Sequence, residues 1–228
     1  MTAQSPRDAL HMLDAVTREW GGNEDLWIFG YASLIWRPEF EFSEERFATI
    51  YGYHRALKMW SRVNRGTPEC PGLVFGLLSG GSCKGMAFRI QKSKVAAILP
   101  ALWNREMPNG VYDPKWLRCQ TSKGPVKALA FTLSRHSPNH TGELSEDAYR
   151  RIFSDACGRF GSTREYAKLT FDKLRTLGIH DHALEKLLQL AASSVPASTL
   201  AAQQTHLKES DVAIRPRRRL LRQRRDEH

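Results

Sequence analysis

The spacing of apolar positions along this chain changes period near its middle. Leu26-Trp27-Ile28-Phe29 is a short, unbroken apolar run, the pattern of a buried strand. Further strand-like runs cover 46–59, 72–78, 83–90 and 126–133, separated by turn-forming clusters such as Arg65-Gly66-Thr67-Pro68 and Ser79-Gly80-Gly81-Ser82. One helix interrupts this half. Val95, Ile98, Leu99 and Leu102 recur at i, i+3, i+4 and i+7, which predicts a buried face over about 92–103. From residue 144 onward the period is helical. Ser145, with Glu146 and Asp147 behind it, caps one helix, and Leu144 is placed to staple to Tyr149. Ser162-x-x-Glu165 is the capping box of a second, with Tyr166, Leu169 and Leu177 along its inner side and Gly178 at its end. Asp181 caps a third that turns Leu184, Leu187, Leu188 and Ala191 inward and stops before Pro196. The pattern predicts an α+β fold, a curved or closed and mainly antiparallel sheet with helices packed around it.

Length and composition fit that picture. With 228 residues, 41% of them apolar, the chain can bury one sizeable core. The expected organisation is an amphipathic N-terminal extension at 1–25, a folded domain at 26–195 and an arginine-rich, disordered tail at 208–228. There is no run of 18 apolar residues and no basic-then-apolar leader, so the expected location is cytoplasmic, without a membrane partner. Cys70, Cys83, Cys119 and Cys157 form no CxxC pair and read as reduced, structurally incidental thiols. The net charge of +10 raises the question of nucleic acid. However, +4 of it comes from the tail after residue 207, where Arg215, Arg217, Arg218, Arg219, Arg222, Arg224 and Arg225 cluster. The rest is spread out without the aromatic interleaving that stacks on bases, so a nucleic-acid partner is not expected. A basic folded part suits a small anionic substrate.

Two segments carry candidate chemistry. Phe29-Gly30-Tyr31-Ala32-Ser33-Leu34-Ile35-Trp36 leaves a buried strand and wraps short residues in large apolar ones. That composition suits a pocket floor, where backbone N–H groups and a hydroxyl face a ligand. Glu106 follows the predicted helix with apolar and aromatic flanks, which would strip its carboxylate of water and raise its pKa toward that of a general base. Arg105 pulls the other way if the two side chains meet, and a surface Arg-Glu pair at a helix end is the competing reading. No second acid forms a glycosidase-like pair with it. His136 and His140 are spaced by four, but Pro138 breaks the helix that would align them, so no metal is expected. Ser33 lacks the Gly-x-Ser-x-Gly elbow. Gly-rich loops of the Rossmann or Walker type are missing, which argues against dinucleotide or ATP.

These motifs, in this order, resemble the ChaC-like, glutathione-specific γ-glutamylcyclotransferases. The resemblance runs through Trp27-Ile28-Phe29-Gly30-Tyr31-Ala32-Ser33-Leu34-Ile35-Trp36-Arg37-Pro38, Gly52-Tyr53-His54-Arg55, Met59-Trp60-Ser61, Arg65-Gly66-Thr67-Pro68-Glu69 and Pro71-Gly72-Leu73-Val74. It continues with Gly80-Gly81-Ser82-Cys83-Lys84-Gly85, Arg105-Glu106-Met107, Gly161-Ser162-x-x-Glu165-Tyr166 and Gly178-Ile179-His180-Asp181, spanning about residues 26–192. It implies a small mixed, barrel-like sheet with surrounding helices and a reaction that cleaves glutathione to 5-oxoproline and cysteinylglycine without a cofactor. Carried across, Glu106 is the catalytic residue, Tyr31, Ala32, Ser33 and Leu34 cradle the γ-glutamyl end, Tyr166 reaches the same pocket, and Arg37 or Arg55 stands at its rim. The chain departs from the family pattern at Ala32, where glycine is usual; a methyl group there narrows the pocket or is tolerated by a negative φ.

Two other readings stay open on sequence alone. One is a cyclotransferase for other γ-glutamyl amines or dipeptides, which Glu106 would serve equally. The other is a non-enzymatic module with a vestigial pocket, whose arginine tail binds nucleic acid or an acidic partner. Oligomeric partners are not legible in the sequence.

Overall fold

Consecutive apolar residues give β1 (Leu26–Gly30) two buried faces, which places it within a closed sheet. A computed structural model describes residues 8–193 of the chain, Asn109 excepted. Around β1 stand α1 (Ala9–Trp20), α2 (Ser33–Trp36), β2 (Glu44–Ser61), β3 (Gly72–Ile90), α3 (Lys92–Glu106), β4 (Asp113–Thr121) and β5 (Val126–Thr132). Then follow α4 (Glu146–Asp155), the short hairpin β6 (Cys157–Gly158) and β7 (Gly161–Ser162), α5 (Thr163–Thr176) and α6 (His182–Ser193). The barrel order is β1-β3-β2-β4-β5. It closes through a parallel pairing that sets Trp27 beside Ala128 and Ile28 beside Leu129; the other barrel pairings are antiparallel. The expected α+β class and mainly antiparallel, barrel-like sheet are what the fold has. Among the described residues, no helix is long and apolar enough to cross a membrane.

Strand alternation divides the interior. Phe29, Ala128 and Ala130 fall in one core cluster, while their chain neighbours Ile28, Leu129 and Phe131 fall in another. The first cluster includes Tyr149, Phe153, Tyr166 and Leu174 of α4 and α5. The second takes Val16 of α1 and Val95, Leu99, Leu102 and Trp103 of α3. Helix α1 is joined to α3 by a hydrogen bond, in which the Trp103 indole donates to the Ala9 carbonyl at 2.7 Å.

Several sequence expectations need correction. The runs at 72–78 and 83–90 are one strand, β3, because Ser79–Ser82 does not end it. Gly80 and Gly81 take positive φ (97° and 71°) opposite Gly52 (84°) and kink the β2/β3 ladder, whose register shifts between Tyr51 and Tyr53. Strand β4 was absent from the prediction, since Asp113-Pro114-Lys115 opens it without an apolar alternation. Helix α3 runs on to Glu106, one turn beyond the expected 103. On α5, Leu169 points outward at 45% exposure, and the inner face is Thr163, Tyr166, Ala167, Thr170 and Leu174. The two threonines on this face are polar and buried, yet both are satisfied. Thr163 Oγ1 accepts from Leu73 N and donates to the Arg65 carbonyl, and Thr170 Oγ1 accepts from the Trp36 indole. The caps at Ser145, Ser162 and Asp181 are as expected. The 208–228 tail lies outside the described residues.

The segment between β2 and β3 is locked by glycine. A Cβ on Gly72 would overlap the Arg65 carbonyl and Thr163 Oγ1, one on Gly66 would strike the Gly72 amide, and one on Gly158 would press on Asn64. Backbone meets backbone here, so no flexible side chain can give way. We expect Gly72→Ala to lower the free energy of unfolding by about 3 kcal/mol, measured as a fall in the urea midpoint. An unchanged midpoint would contradict this packing.

Candidate functional site

The candidate site lies where the two core clusters meet. Tyr31, Ala32, Phe75 and Tyr166 reach it from one, and Leu34, Tyr112 and Phe131 from the other. Ser33 and Glu106 complete the lining of a narrow cavity of about 20 Å³. Among the described residues that line it, Glu106 is the only carboxylate. A larger hollow of about 690 Å³ opens at the other end of β1, around Trp20, Trp27 and Trp116. Of the four cations that line it, Arg46, Arg89 and Lys127 are bridged to Glu44, Asp25 and Glu19, and the fourth, Lys92, gives its backbone amide to Asp25.

Glu106 is the last residue of α3, whereas the sequence placed it beyond a helix ending near 103. Buried neighbours hold it there: Trp103 and Met107 are each 1% exposed, and the Met107 amide closes the helix on the Trp103 carbonyl at 2.7 Å. The carboxylate side chain is 14% exposed. Burial raises its pKa, opposed by the Arg105 guanidinium 3.1 Å away and assisted by the like charge of Glu39. The two consecutive side chains therefore do meet, which the sequence left open. The pair is shielded from water, unlike the surface ion pair of the competing sequence reading. Arg105 is also anchored on the Arg37 and Pro38 carbonyls and on Glu39.

Three phenols share the cavity with Glu106. Tyr31 donates to the Phe131 carbonyl at 2.9 Å and Tyr112 to the Phe75 carbonyl at 3.2 Å. Tyr166 instead accepts from the Phe75 amide at 3.4 Å, which leaves its own proton to be donated. Burial first, and then the neighbouring ionisable groups including Glu106, push the Tyr31 and Tyr112 pKa values well above the usual phenol range. Burial likewise raises Tyr166, against the Phe75 amide bond. All three are neutral donors at physiological pH. Sequence reasoning found Tyr31 and Tyr166 but missed Tyr112, Phe75 and Phe131. Tyr112 precedes the unpredicted strand β4, and the other two are ordinary strand aromatics whose only signal is burial.

The pocket-floor segment at 31–34 is in part helical, since α2 begins at Ser33. Its first amides, Ser33 and Leu34, are among those that a helical turn leaves without an intrahelical acceptor. Ala32 has φ −140°, so its methyl demands no left-handed backbone. The structure brings Tyr31, Ala32, Ser33, Leu34, Glu106 and Tyr166 together and leaves the two arginines outside. Arg55 is not a rim residue. Its side chain is 5% exposed and lies beneath the loop, donating to the Tyr31 carbonyl at 2.6 Å, to Asp181 at 2.9 Å and to the Lys84 carbonyl at 3.2 Å. Arg37 is half-exposed, pairs with Glu39, and lies over the Phe160 ring. Among the described residues no group of three or more His, Cys, Asp or Glu is placed to hold a metal ion.

Comparison with known proteins places this geometry in context. Residues 26–194 match the family model described as ChaC-like protein. The chain is 32% identical over 180 residues to the glutathione-specific gamma-glutamylcyclotransferase of Escherichia coli K12, covering 77% of this chain and 78% of that protein. It is 30% identical over 202 residues to the human glutathione-specific gamma-glutamylcyclotransferase 1, covering 86% and 89%. A crystal structure of a glutathione-specific gamma-glutamyl cyclotransferase from yeast superposes with a TM-score of 0.68 at 19% identity. That match covers 75% of this chain and 97% of the yeast chain, which is likeness of fold.

The raised Glu106 pKa has a consequence for stability. A carboxylate whose folded pKa exceeds its unfolded value destabilises the fold when ionised. Stability is therefore lost as pH rises from the unfolded carboxylate range, about 4.3, through the folded value. Glu106→Gln removes that cost. It should melt above the wild type at pH 7 and level with it at pH 4, as calorimetric scans at the two pH values would show.

Proposed function

The chain belongs to the ChaC-like family, and from that premise we propose that it cleaves the γ-glutamyl bond of glutathione by intramolecular cyclisation, releasing 5-oxoproline and L-cysteinylglycine. The observation that carries the reading is a single buried carboxylate, Glu106, in a cavity otherwise lined by phenols, apolar groups and the backbone of Tyr31–Leu34.

The chemistry needs only one such group. The α-amine and γ-carbonyl of glutathione belong to one glutamyl unit, so attack of the amine nitrogen closes a five-membered lactam. The protein's task is to hold the reactive rotamer. At neutral pH the amine is largely protonated. Once its ammonium proton has gone to water, the neutral amine attacks: its lone pair forms the new C–N bond, Glu106 takes a second proton from that nitrogen, and charge builds on the carbonyl oxygen. As the bond to the cysteinyl nitrogen breaks, Glu106 returns a proton to that nitrogen, which leaves poorly as an anion. Both nitrogens flank one carbon, so a single glutamate serves as base and then acid. Its raised pKa narrows the gap to the amine and improves it in both roles.

The remaining parts follow from donor geometry. Tyr166, whose proton is not used by Phe75, is the donor for the developing oxyanion. The amides of Ser33 and Leu34 and the Ser33 hydroxyl receive the α-carboxylate of the substrate. Arg55 acts through the Tyr31 carbonyl and is a positioning residue. The partner is thus a small molecule.

Incubation with glutathione and chromatographic detection of 5-oxoproline tests the reaction, and absence of product at high enzyme concentration would overturn it. Glu106→Gln should keep the fold and cut turnover by ~100-fold or more. Near-normal turnover in that variant would remove Glu106 from the mechanism. Tyr166→Phe should lower kcat by roughly 100-fold, with a smaller effect on KM; steady-state kinetics on glutathione decide it.

A further inference from the structure

Glu106 and Tyr166 are joined by a continuous chain of contacts that the reaction itself does not use. Arg105 touches Glu106 and reaches Glu39 at 3.0 Å, and Arg37 takes the other oxygen of Glu39. Arg37 lies 5.9 Å above the Phe160 ring. The Phe160 carbonyl is bound by Arg65, and the Arg65 guanidinium lies 5.0 Å over the ring of Tyr166. These residues form a rim from one catalytic group to the other. Arg159, at the tip of the β6–β7 hairpin, lies 4.4 Å over the same Phe160 ring as Arg37.

The charge on this rim is unbalanced. Four arginines, Arg37, Arg65, Arg105 and Arg159, stand with two acids, Glu39 and Glu106, which pair only with Arg37 and Arg105; Glu165 is spent on its capping box with Ser162. Arg65 and Arg105 are committed to backbone carbonyls. Arg37 and Arg159 are the exposed cations, stacked on a phenyl ring that is itself 48% exposed. Two cations against an apolar ring, next to the catalytic cavity, match the end of a short peptide that carries a carboxylate. The backbone agrees. Among the described residues, Glu39 is the one non-glycine residue with positive φ (56°), a strained conformation held by the bridges to Arg37 and Arg105.

With the γ-glutamyl unit in the cavity, the rest of a γ-glutamyl peptide leaves through this rim, and its terminal carboxylate is the charge that a γ-glutamyl amine lacks. We propose that Arg37 and Arg159, with Phe160 between them in the contact chain, form an acceptor-side subsite for the free C-terminal carboxylate of the substrate. The subsite selects γ-glutamyl peptides over γ-glutamyl amines. This inference rests on the cyclotransferase reading above and deepens it.

The test compares release of 5-oxoproline from glutathione and from its glycinamide analogue, which removes that charge at nearly unchanged size. The wild type should prefer the free acid by about fivefold or more in kcat/KM, with the preference fading as salt rises. The Arg37→Gln, Arg159→Gln double variant should bring the ratio near one, chiefly by raising KM for glutathione. Arg159→Gln alone, which leaves the Glu39 bridges in place, should move the ratio the same way. A rim that merely holds the fold would move both substrates together, so equal losses overturn the subsite, as does a wild type without preference. Release from neither substrate would remove the cyclotransferase reading and the subsite with it.

Discussion

The structure depends on keeping one carboxylate out of water without burying it unpaired. Glu106 sits at the end of a helix where Trp103 and Met107, on either side in sequence, are fully buried. The Trp103 indole is tied to the Ala9 carbonyl, and its ring meets Phe131 at 5.9 Å. These anchors fix the direction in which Glu106 leaves the helix. Arg105 tempers the desolvation without cancelling it, because its guanidinium is shared with Glu39 and two backbone carbonyls. A carboxylate with a partner of its own would be a weaker base, and one with none would unsettle the fold. The shared arginine holds it between these extremes.

A second knot lies beneath the pocket floor. The Arg55 guanidinium gathers the Tyr31 carbonyl, the Lys84 carbonyl and Asp181, three groups from distant parts of the chain. Asp181 is engaged twice, since its other oxygen caps α6 through the Leu184 amide. The loop that carries Tyr31 is thereby joined to β2, β3 and the start of α6. Trp36 adds a second tether at the far end of α2, donating to Thr170 of α5. A short loop in a narrow cavity keeps its shape because both of its ends are fastened to rigid elements.

What the sequence revealed follows from which forces are local. Caps at Ser145, Ser162 and Asp181 depend on residues within one turn, so their spacing is visible in the chain. The apolar stripe of α3 and the all-apolar β1 are equally local. Strand β4 escaped because its register is fixed by partners in β2 and β5, and not by its own alternation. The kink at Gly80 and Gly81 looked like a strand end because glycine marks both features. Leu169 was misplaced because two threonines occupy the inner face and draw hydrogen bonds from elsewhere. At the site, Glu106 and Tyr31–Leu34 were legible as unusual composition. Arg55 was not: a rim arginine and a buried one read alike until Asp181 is seen 2.9 Å away.

The parallel pairing of β1 with β5 has a kinetic meaning. It joins the first strand of the barrel to the last, and the bond from Tyr31 to Phe131 spans 100 residues. The bond from Trp36 to Thr170 spans 134. Such closures carry a large loop entropy and form late. The residues that line the cavity therefore come together only when the barrel itself shuts. A nascent or partly unfolded chain has no half-built site, so the fold ties the onset of activity to the completion of the molecule.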